Sequence, residues 1–315
     1  MRGDLIDKFM RLDNAVASWY TYRMSKSIVL RAFAKANVSL NITGKRGGMH
    51  ELDSVMVSLD AFDTVTVSER PHDDIRVVFT NADVGADNTA YKAARLVRDK
   101  IGCGGFDITV EKGIPIGAGL GGSSADGAAV LRALDLFYGL PKLGVDMQKT
   151  ALEVGSDVPF MLTGGLARVK GLGDDAFFME NKLKLFAVGI MAGEVSTAAA
   201  YKKFDELYTD SSFCPADNDR ICELVMNCDP SAVALAANAL TEPAKALCGG
   251  IDDAVKLLER YGATACLTGS GGMVLGWFTD LGKFVACVGA LKGATDFKVF
   301  SVAKTGVLHQ WLSRE

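Results

Sequence analysis

Four glycines and two hydroxyls fall within Ile114-Pro115-Ile116-Gly117-Ala118-Gly119-Leu120-Gly121-Gly122-Ser123-Ser124-Ala125-Asp126, a spacing suited to holding phosphate. Upstream, Phe106 to Glu111 alternates apolar and polar residues, which predicts a half-buried strand. Downstream, Ala128, Ala129, Leu131, Leu134 and Leu136 lie among good helix formers, so a helix is expected over Ala125 to Phe137, beginning near the serines. Unpaired N–H groups and the positive end of the helix dipole then face the glycines, and a phosphate can approach the main chain without meeting a Cβ. Ser123 and Ser124 are candidates to cap the helix or to bind a phosphate or its Mg²⁺.

Gly117, Gly119 and Gly122 also satisfy G-x-G-x-x-G, but a dinucleotide fold needs an acidic residue at the end of a following strand. The chain there still reads as helix and turn, ending at Gly139-Leu140-Pro141. A P-loop is excluded because no Gly-Lys-Ser/Thr follows the glycines. A plain turn would spend four glycines on nothing, at a cost in chain entropy.

Two charged residues stand in apolar surroundings. Lys35 lies in Phe33-Ala34-Lys35-Ala36-Asn37, and Asp157 in Gly155-Ser156-Asp157-Val158-Pro159-Phe160. Buried together they would form either a structural ion pair or a phosphoryl-transfer pair, and both remain open here. In the second case Asp157 takes or orients the proton of an attacking hydroxyl, while Lys35 keeps Asp157 charged and steadies negative charge nearby. His50 ends the loop Gly47-Gly48-Met49 and suits substrate contact or capping equally. A zinc-protease arrangement fails because no histidine stands three residues beyond Glu51, and no G-x-S-x-G elbow supports a serine hydrolase. With three histidines in the chain, a histidine-based metal cluster is not expected.

The elements that must position these residues divide the chain. Strands are expected at Val29 to Ala34, Val38 to Ile42, Asp53 to Leu59 and Thr64 to Ser68, with Thr43 to Gly48 as a turn. Helices are expected at Thr89 to Lys100 and Met147 to Val154. After Asp174 the pattern restarts: strand Leu185 to Met191, helices Ser196 to Tyr208, Ser231 to Leu247 and Ile251 to Tyr261. Strand Met273 to Phe278, helix Leu281 to Leu291 and strand Phe297 to Val302 follow, an α+β alternation.

At 315 residues with 49% hydrophobic side chains, the chain is long enough for two domains with their own cores. A net charge of −4 without a basic run argues against a nucleic-acid partner, and no apolar stretch is long enough to span a membrane. The seven cysteines, without a C-x-x-C pair, fit a reducing cytoplasm, and most are expected as small core residues. Leu5, Ile6, Phe9, Leu12 and Val16 recur at helical spacing, which predicts an amphipathic helix packed on the body or on a second copy rather than a targeting signal.

Together these segments resemble the GHMP small-molecule kinases. Pro115 to Ala125 matches the superfamily's glycine-serine loop. Lys35-Ala36-Asn37, Ile42-Thr43-Gly44-Lys45-Arg46, His50-Glu51-Leu52, Tyr91 to Leu96, Asp157-Val158-Pro159-Phe160 and Leu267-Thr268-Gly269-Ser270-Gly271 are further likenesses. These point to the branch that phosphorylates the 2-hydroxyl of a cytidyl-diphospho-methylerythritol in non-mevalonate isoprenoid synthesis. The resemblance implies an S5-like N-terminal domain (27–178) and a ferredoxin-like C-terminal domain (179–315) after a helical extension (1–26), with the site in the cleft between them.

It further implies a small-molecule substrate, ATP, and Mg²⁺ with Ser124 as a ligand, and leaves a homodimer open. Asp157 would be the base and Lys35 its partner. Pro115, Gly117, Ala118, Gly119, Leu120, Gly121, Gly122, Ser123 and Ser124 would hold the phosphates, with Asn88 and Lys112 near the adenosine. Asn37 would line the substrate pocket, His50 would hydrogen-bond the cytosine and Tyr201 would stack on it. Met49 stands where this branch usually carries an aromatic, so a thioether replaces one side of the expected sandwich. A different small alcohol (homoserine, mevalonate or a sugar) and a nucleotide-binding homologue without turnover are the alternatives.

Overall fold

The structure is a computed structural model describing residues 27–180, 185–209, 212–293, 297–303 and 307–309. The helix expected around Leu5 to Val16, and with it the extension 1–26, lies outside these residues.

Where the sequence reads as short strands broken by a turn at Thr43 to Gly48, the chain runs as one strand, β1 (Ser27–Arg46), and returns as β2 (Met49–Arg70). The turn is only Gly47-Gly48, with φ of 60° and 83°, the left-handed pair that a two-residue hairpin needs. Gly44 is not a breaker. It sits at a register shift between Ile42 and Gly44 and is absorbed into the ladder as an irregularity.

The chain continues through β3 (Ile75–Phe79), α1 (Thr89–Ile101), β4 (Gly105–Glu111), α2 (Gly122–Tyr138), α3 (Met147–Val154), α4 (Val158–Thr163), β5 (Leu166–Gly171) and β6 (Asp175–Met179). Next come β7 (Phe186–Met191), α5 (Thr197–Leu207), α6 (Asn218–Met226), β8 (Ala237–Asn238), α7 (Thr241–Leu247) and α8 (Gly249–Arg260). The last elements are β9 (Thr264–Leu267), β10 (Met273–Phe278), α9 (Leu281–Leu291), β11 (Phe297–Ala303) and β12 (Val307–His309).

The helix expected over Ser231 to Leu247 is instead a 3₁₀ turn (Pro230–Leu235), β8 and the short α7. Asn238 breaks it. Its side-chain amide donates to Leu267 O and Gly269 O and its oxygen accepts from Leu240 N, while β8 pairs with Ser39 and Leu40 of β1. The unexpected α6 begins at Asp217, whose carboxylate accepts from Arg220 N, and buries Ile221, Leu224 and Val225.

The sheet runs β12-β1-β2-β11-β7-β10-β9, with β4 and β5 each pairing a different stretch of β2. β11 joins the two halves: Phe297 to Ser301 pair with β7, and Val302 and Ala303 with β2. One core, including Val57, Phe106, Leu131 and Phe160, lies mostly in the first half but extends to Met273, Leu275 and Trp277 of β10; a second, including Val188, Phe204, Leu258 and Phe278, lies mostly in the other half and takes in Leu40 and Ile42 of β1. Cys222, Cys266 and Cys287 are buried and Cys103 and Cys248 pack half-buried against the cores, while Cys214 and Cys228 are exposed. Between the cores β1 carries a polar side chain at every second position: Lys35, Asn37, Ser39 and Asn41, none above 4% exposed. Polar groups so deep need partners: Ser39 and Asn41 find theirs in Asn218 of α6 and Ala216 before it, while those of Lys35 and Asn37 lead to the site.

Candidate active site

The glycine loop bends into α2 with Gly117, Gly119 and Gly121 at φ of 72°, 77° and 70°. Gly121 caps the helix without a side-chain bond, so neither serine serves as the cap and the first N–H groups of α2 stay open to an anion. The loop is locked from the far half of the chain. Gly272 N donates to Gly117 O at 2.9 Å, and a Cβ on Gly119 would sit 2.1 Å from Thr268 O. Pro115 and Gly117 to Ser123 line a cavity of about 150 Å³ together with Phe79, Val84 and Asn88. Ser124 does not line it, and its hydroxyl has no hydrogen-bond partner among the described residues.

Lys112, expected near the adenosine, lines this cavity, but its ammonium is engaged. It bridges Asp63 and Asp126, at 2.8 Å from the latter, while the other oxygen of Asp63 accepts from Gly113 N and Ile114 N at the root of the loop. Burial works against the charge on Lys112, yet Asp126 and Asp63 hold it above its ordinary value. Burial pushes the Asp126 carboxyl up to about 8, against the pull of Lys112, and its Oδ1 has no partner. Asn88 caps α1 by accepting from Tyr91 N, which fixes that wall.

Lys35 connects this cavity to the next. Its N–H donates to Leu120 O at 2.9 Å, and its side-chain stem passes so close to Gly121 that a Cβ there would lie 2.9 Å from Lys35 Cγ. Its ammonium lies 3.3 Å from Asp157 Oδ2 and donates to Asn37 Oδ1 at 2.9 Å. Lys35 is buried as expected, but the Asp157 side chain is 32% exposed, because its carboxylate opens into a cavity. Asp157 begins α4 without capping it, so the carboxylate is free for Lys35.

That second cavity, about 710 Å³, is lined by Asp157, Ser156, Tyr201, His50, Met49 and Arg46 among others. Gly173 presses against Ser156 beside Asp157; at φ 94° a Cβ there would meet Ser156 O at 2.3 Å. Asn37, expected in the wall, is 1% exposed and lies behind it. It accepts from Lys35 and Gly269 N and donates to Ser54, so it braces the lysine rather than facing a ligand. Met49 is 59% exposed on the rim. His50 stacks on Tyr201 at 4.7 Å, which takes one face of the ring expected to meet a base. Burial, then the charge of Asp157, hold the Tyr201 hydroxyl above its usual range.

The chain that carries this glycine loop, carboxylate and ammonium is similar to known proteins. GHMP kinases N terminal domain matches residues 88–165, and GHMP kinases C terminal matches 223–292. A 4-diphosphocytidyl-2-C-methyl-D-erythritol kinase of Caldicellulosiruptor saccharolyticus is 32% identical over 290 residues, covering 87% of this chain and 93% of its own. The chain belongs to the GHMP kinase family. A crystal structure of 4-(cytidine 5'-diphospho)-2C-methyl-D-erythritol kinase superposes with a TM-score of 0.72 at 26% identity, covering 88% of this chain and 99% of that one. Homoserine kinase from Cytophaga hutchinsonii, at 19% identity and TM-score 0.66 over 91% of this chain and 98% of its own, shares the fold. The α+β arrangement is thus the GHMP kinase two-domain fold.

Sequence reasoning gave no role to three groups of this GHMP kinase. Thr268 to Gly272 locks the glycine loop, a function signalled only by a second glycine-rich run. Asp63 and Asp126 hold Lys112, and nothing local marks Asp63 as buried. Asp205 pairs with His50 across 155 positions, a contact with no sequence signature.

Proposed function

We propose that this kinase transfers the γ-phosphoryl group of ATP to the 2-hydroxyl of 4-diphosphocytidyl-2-C-methyl-D-erythritol, in non-mevalonate isoprenoid precursor synthesis. The observation that carries the proposal is Lys35: its backbone is bonded to the glycine loop while its ammonium rests on Asp157 in the larger cavity. One residue thus ties a phosphate cradle to a carboxylate that faces a space large enough for a nucleotide-linked alcohol.

In this reading Asp157 accepts the proton as the hydroxyl oxygen forms its bond to phosphorus and the bond to the β-phosphate oxygen breaks, releasing ADP. Lys35 balances the negative charge that passes through the site. The open N–H groups of α2 and the glycines bind the phosphates, while Phe79, Val84 and Asn88 bound the adenosine end. Ser124 lies outside the lining of the glycine-loop cavity but its hydroxyl has no partner among the described residues, so it is the side chain that would be left to a Mg²⁺ held mainly by phosphates and waters. Bound there, the ion would neutralise phosphate charge. His50, Tyr201 and Met49 form the base-binding end.

None of the described helices is long and apolar enough to cross a membrane. We place the enzyme in the cytoplasm, as two units at 27–178 and 179–315, acting on a small molecule without nucleic acid. The test is product identity. Incubation of the purified chain with Mg²⁺-ATP and the cytidyl compound should give a new phosphomonoester on the 2-hydroxyl by phosphorus NMR; ADP formation only with another alcohol contradicts the substrate, and none with any alcohol contradicts the kinase role.

A further inference from the structure

The His50 ring is held by more groups than packing requires. Its Nε2 lies 2.8 Å from Asp205 Oδ1, and the same oxygen is 2.8 Å from Lys45 Nζ. Lys45 is the cross-strand neighbour of His50 in the β1–β2 hairpin. Asp205 lies on α5 four residues beyond Tyr201 and one beyond Phe204, so the three side chains share a helix face. Tyr201 stacks on the imidazole with an interplanar angle of 26°, and Phe204 meets its edge at 5.7 Å. The His50 side chain is 10% exposed, and its Nδ1 has no partner among the described residues.

Burial opposes the charge on Asp205, but hydrogen bonds from Lys45 and His50 hold its carboxyl below the usual carboxylate range. An ionised carboxylate only accepts, so Nε2 must carry the proton, and the neutral ring then has its lone pair on Nδ1. We propose that Asp205, clamped by Lys45, is a positioning residue that fixes His50 with a hydrogen-bond-accepting Nδ1, so that the larger cavity selects a base edge bearing an amino donor, cytosine rather than uracil. This rests on reading that cavity as the site of a cytidyl substrate. A uracil edge carries a carbonyl where cytosine carries the amine, which sets two lone pairs against each other and leaves both unpaired.

The tautomer is read on the full chain by long-range proton–nitrogen NMR, with His50→Gln to assign the signal. Protonated Nε2 with a bare Nδ1 is expected in the native chain and a mixture of tautomers in Asp205→Ala. Steady-state kinetics then compare the cytidyl compound with its uridyl analogue. Asp205→Ala should raise KM for the cytidyl compound about tenfold, the worth of one hydrogen bond, compress the cytidyl-to-uridyl ratio, and leave KM for ATP alone. Asp205→Asn, whose amide oxygen still accepts from Nε2, should recover most of the ratio. Protonated Nδ1 in the native chain, or an unchanged ratio in Asp205→Ala, overturns the proposal. If the native chain turns over neither compound, the substrate reading and the base preference fall together, while the NMR result decides the tautomer by itself.

Discussion

The smaller cavity is walled by backbone and the larger by side chains, and the two differ accordingly in what fixes them. Around the glycine loop, the main chain at Gly119 and that at Thr268, Gly269 and Gly271 approach so closely that a Cβ on Gly119, Gly269 or Gly271 does not fit. Around the larger cavity, Arg46 of β1, Met49 and His50 of β2, Asp157 before α4 and Tyr201 of α5 reach in, and all but Met49 are held by ion pairs or ring contacts. A site made of main chain tolerates little change but is indifferent to what lies beyond the phosphate. A site made of side chains can be retuned residue by residue, which is where substrate choice resides.

The sharpest break between the two should come from Asp157→Asn. Turnover is expected to fall about 100- to 10,000-fold with ATP affinity retained, because only the proton acceptor is lost. Kinetics together with nucleotide titration check this, and loss of ATP binding would mean that the two cavities are not separable.

Gly119→Ala should act in the opposite manner. Its new Cβ would lie 2.1 Å from Thr268 O, so the damage reaches the fold as well as the phosphate contacts. A cost of about 2–3 kcal/mol, or roughly 5–10 °C in Tm, is expected, and thermal melting with and without ATP measures it.

A smaller effect concerns pH. Asp126 titrates near 8 when folded, above its ordinary value of 3.8, so it contributes stability that is complete below pH 3.8 and lost as the pH rises through 8. Melting temperatures of the native chain and Asp126→Asn should therefore diverge with rising pH across that window, in favour of the variant; parallel curves would contradict the buried carboxyl.

The mildest change is Met49→Phe on the exposed rim. An aromatic there should lower KM for a cytidyl substrate by about fivefold, near 1 kcal/mol of stacking, and leave kcat unchanged. A fall in kcat would place Met49 closer to the chemistry than the rim.

The same contrast explains what could be read in advance. The glycine loop was legible because a backbone site writes its requirements into consecutive residues, and α2 does begin beside the serines. Lys35 and Asp157 stood out as charges in apolar surroundings. The burial expected for Asp157 was wrong in degree, since its neighbours are buried while its carboxylate faces a cavity. The Asp205–His50–Lys45 cluster was out of reach because it forms only when α5 docks on a hairpin more than a hundred positions earlier in the chain. Asn238 was likewise misread as helical, since its bonds to Leu267 O and Gly269 O are tertiary. The buried polar series on β1 was visible in principle: Lys35, Asn37, Ser39 and Asn41 alternate with apolar residues, a strand pattern whose first two polar groups reach the site and whose last two bond to Asn218 and Ala216.

The most direct test measures ADP release with Mg²⁺-ATP for 4-diphosphocytidyl-2-C-methyl-D-erythritol, homoserine, mevalonate and galactose, using the native chain and Asp157→Asn side by side. ADP release with the cytidyl compound alone, abolished in Asp157→Asn, is the predicted result. Equal release in Asp157→Asn, or turnover of another alcohol in place of the cytidyl compound, would contradict the account.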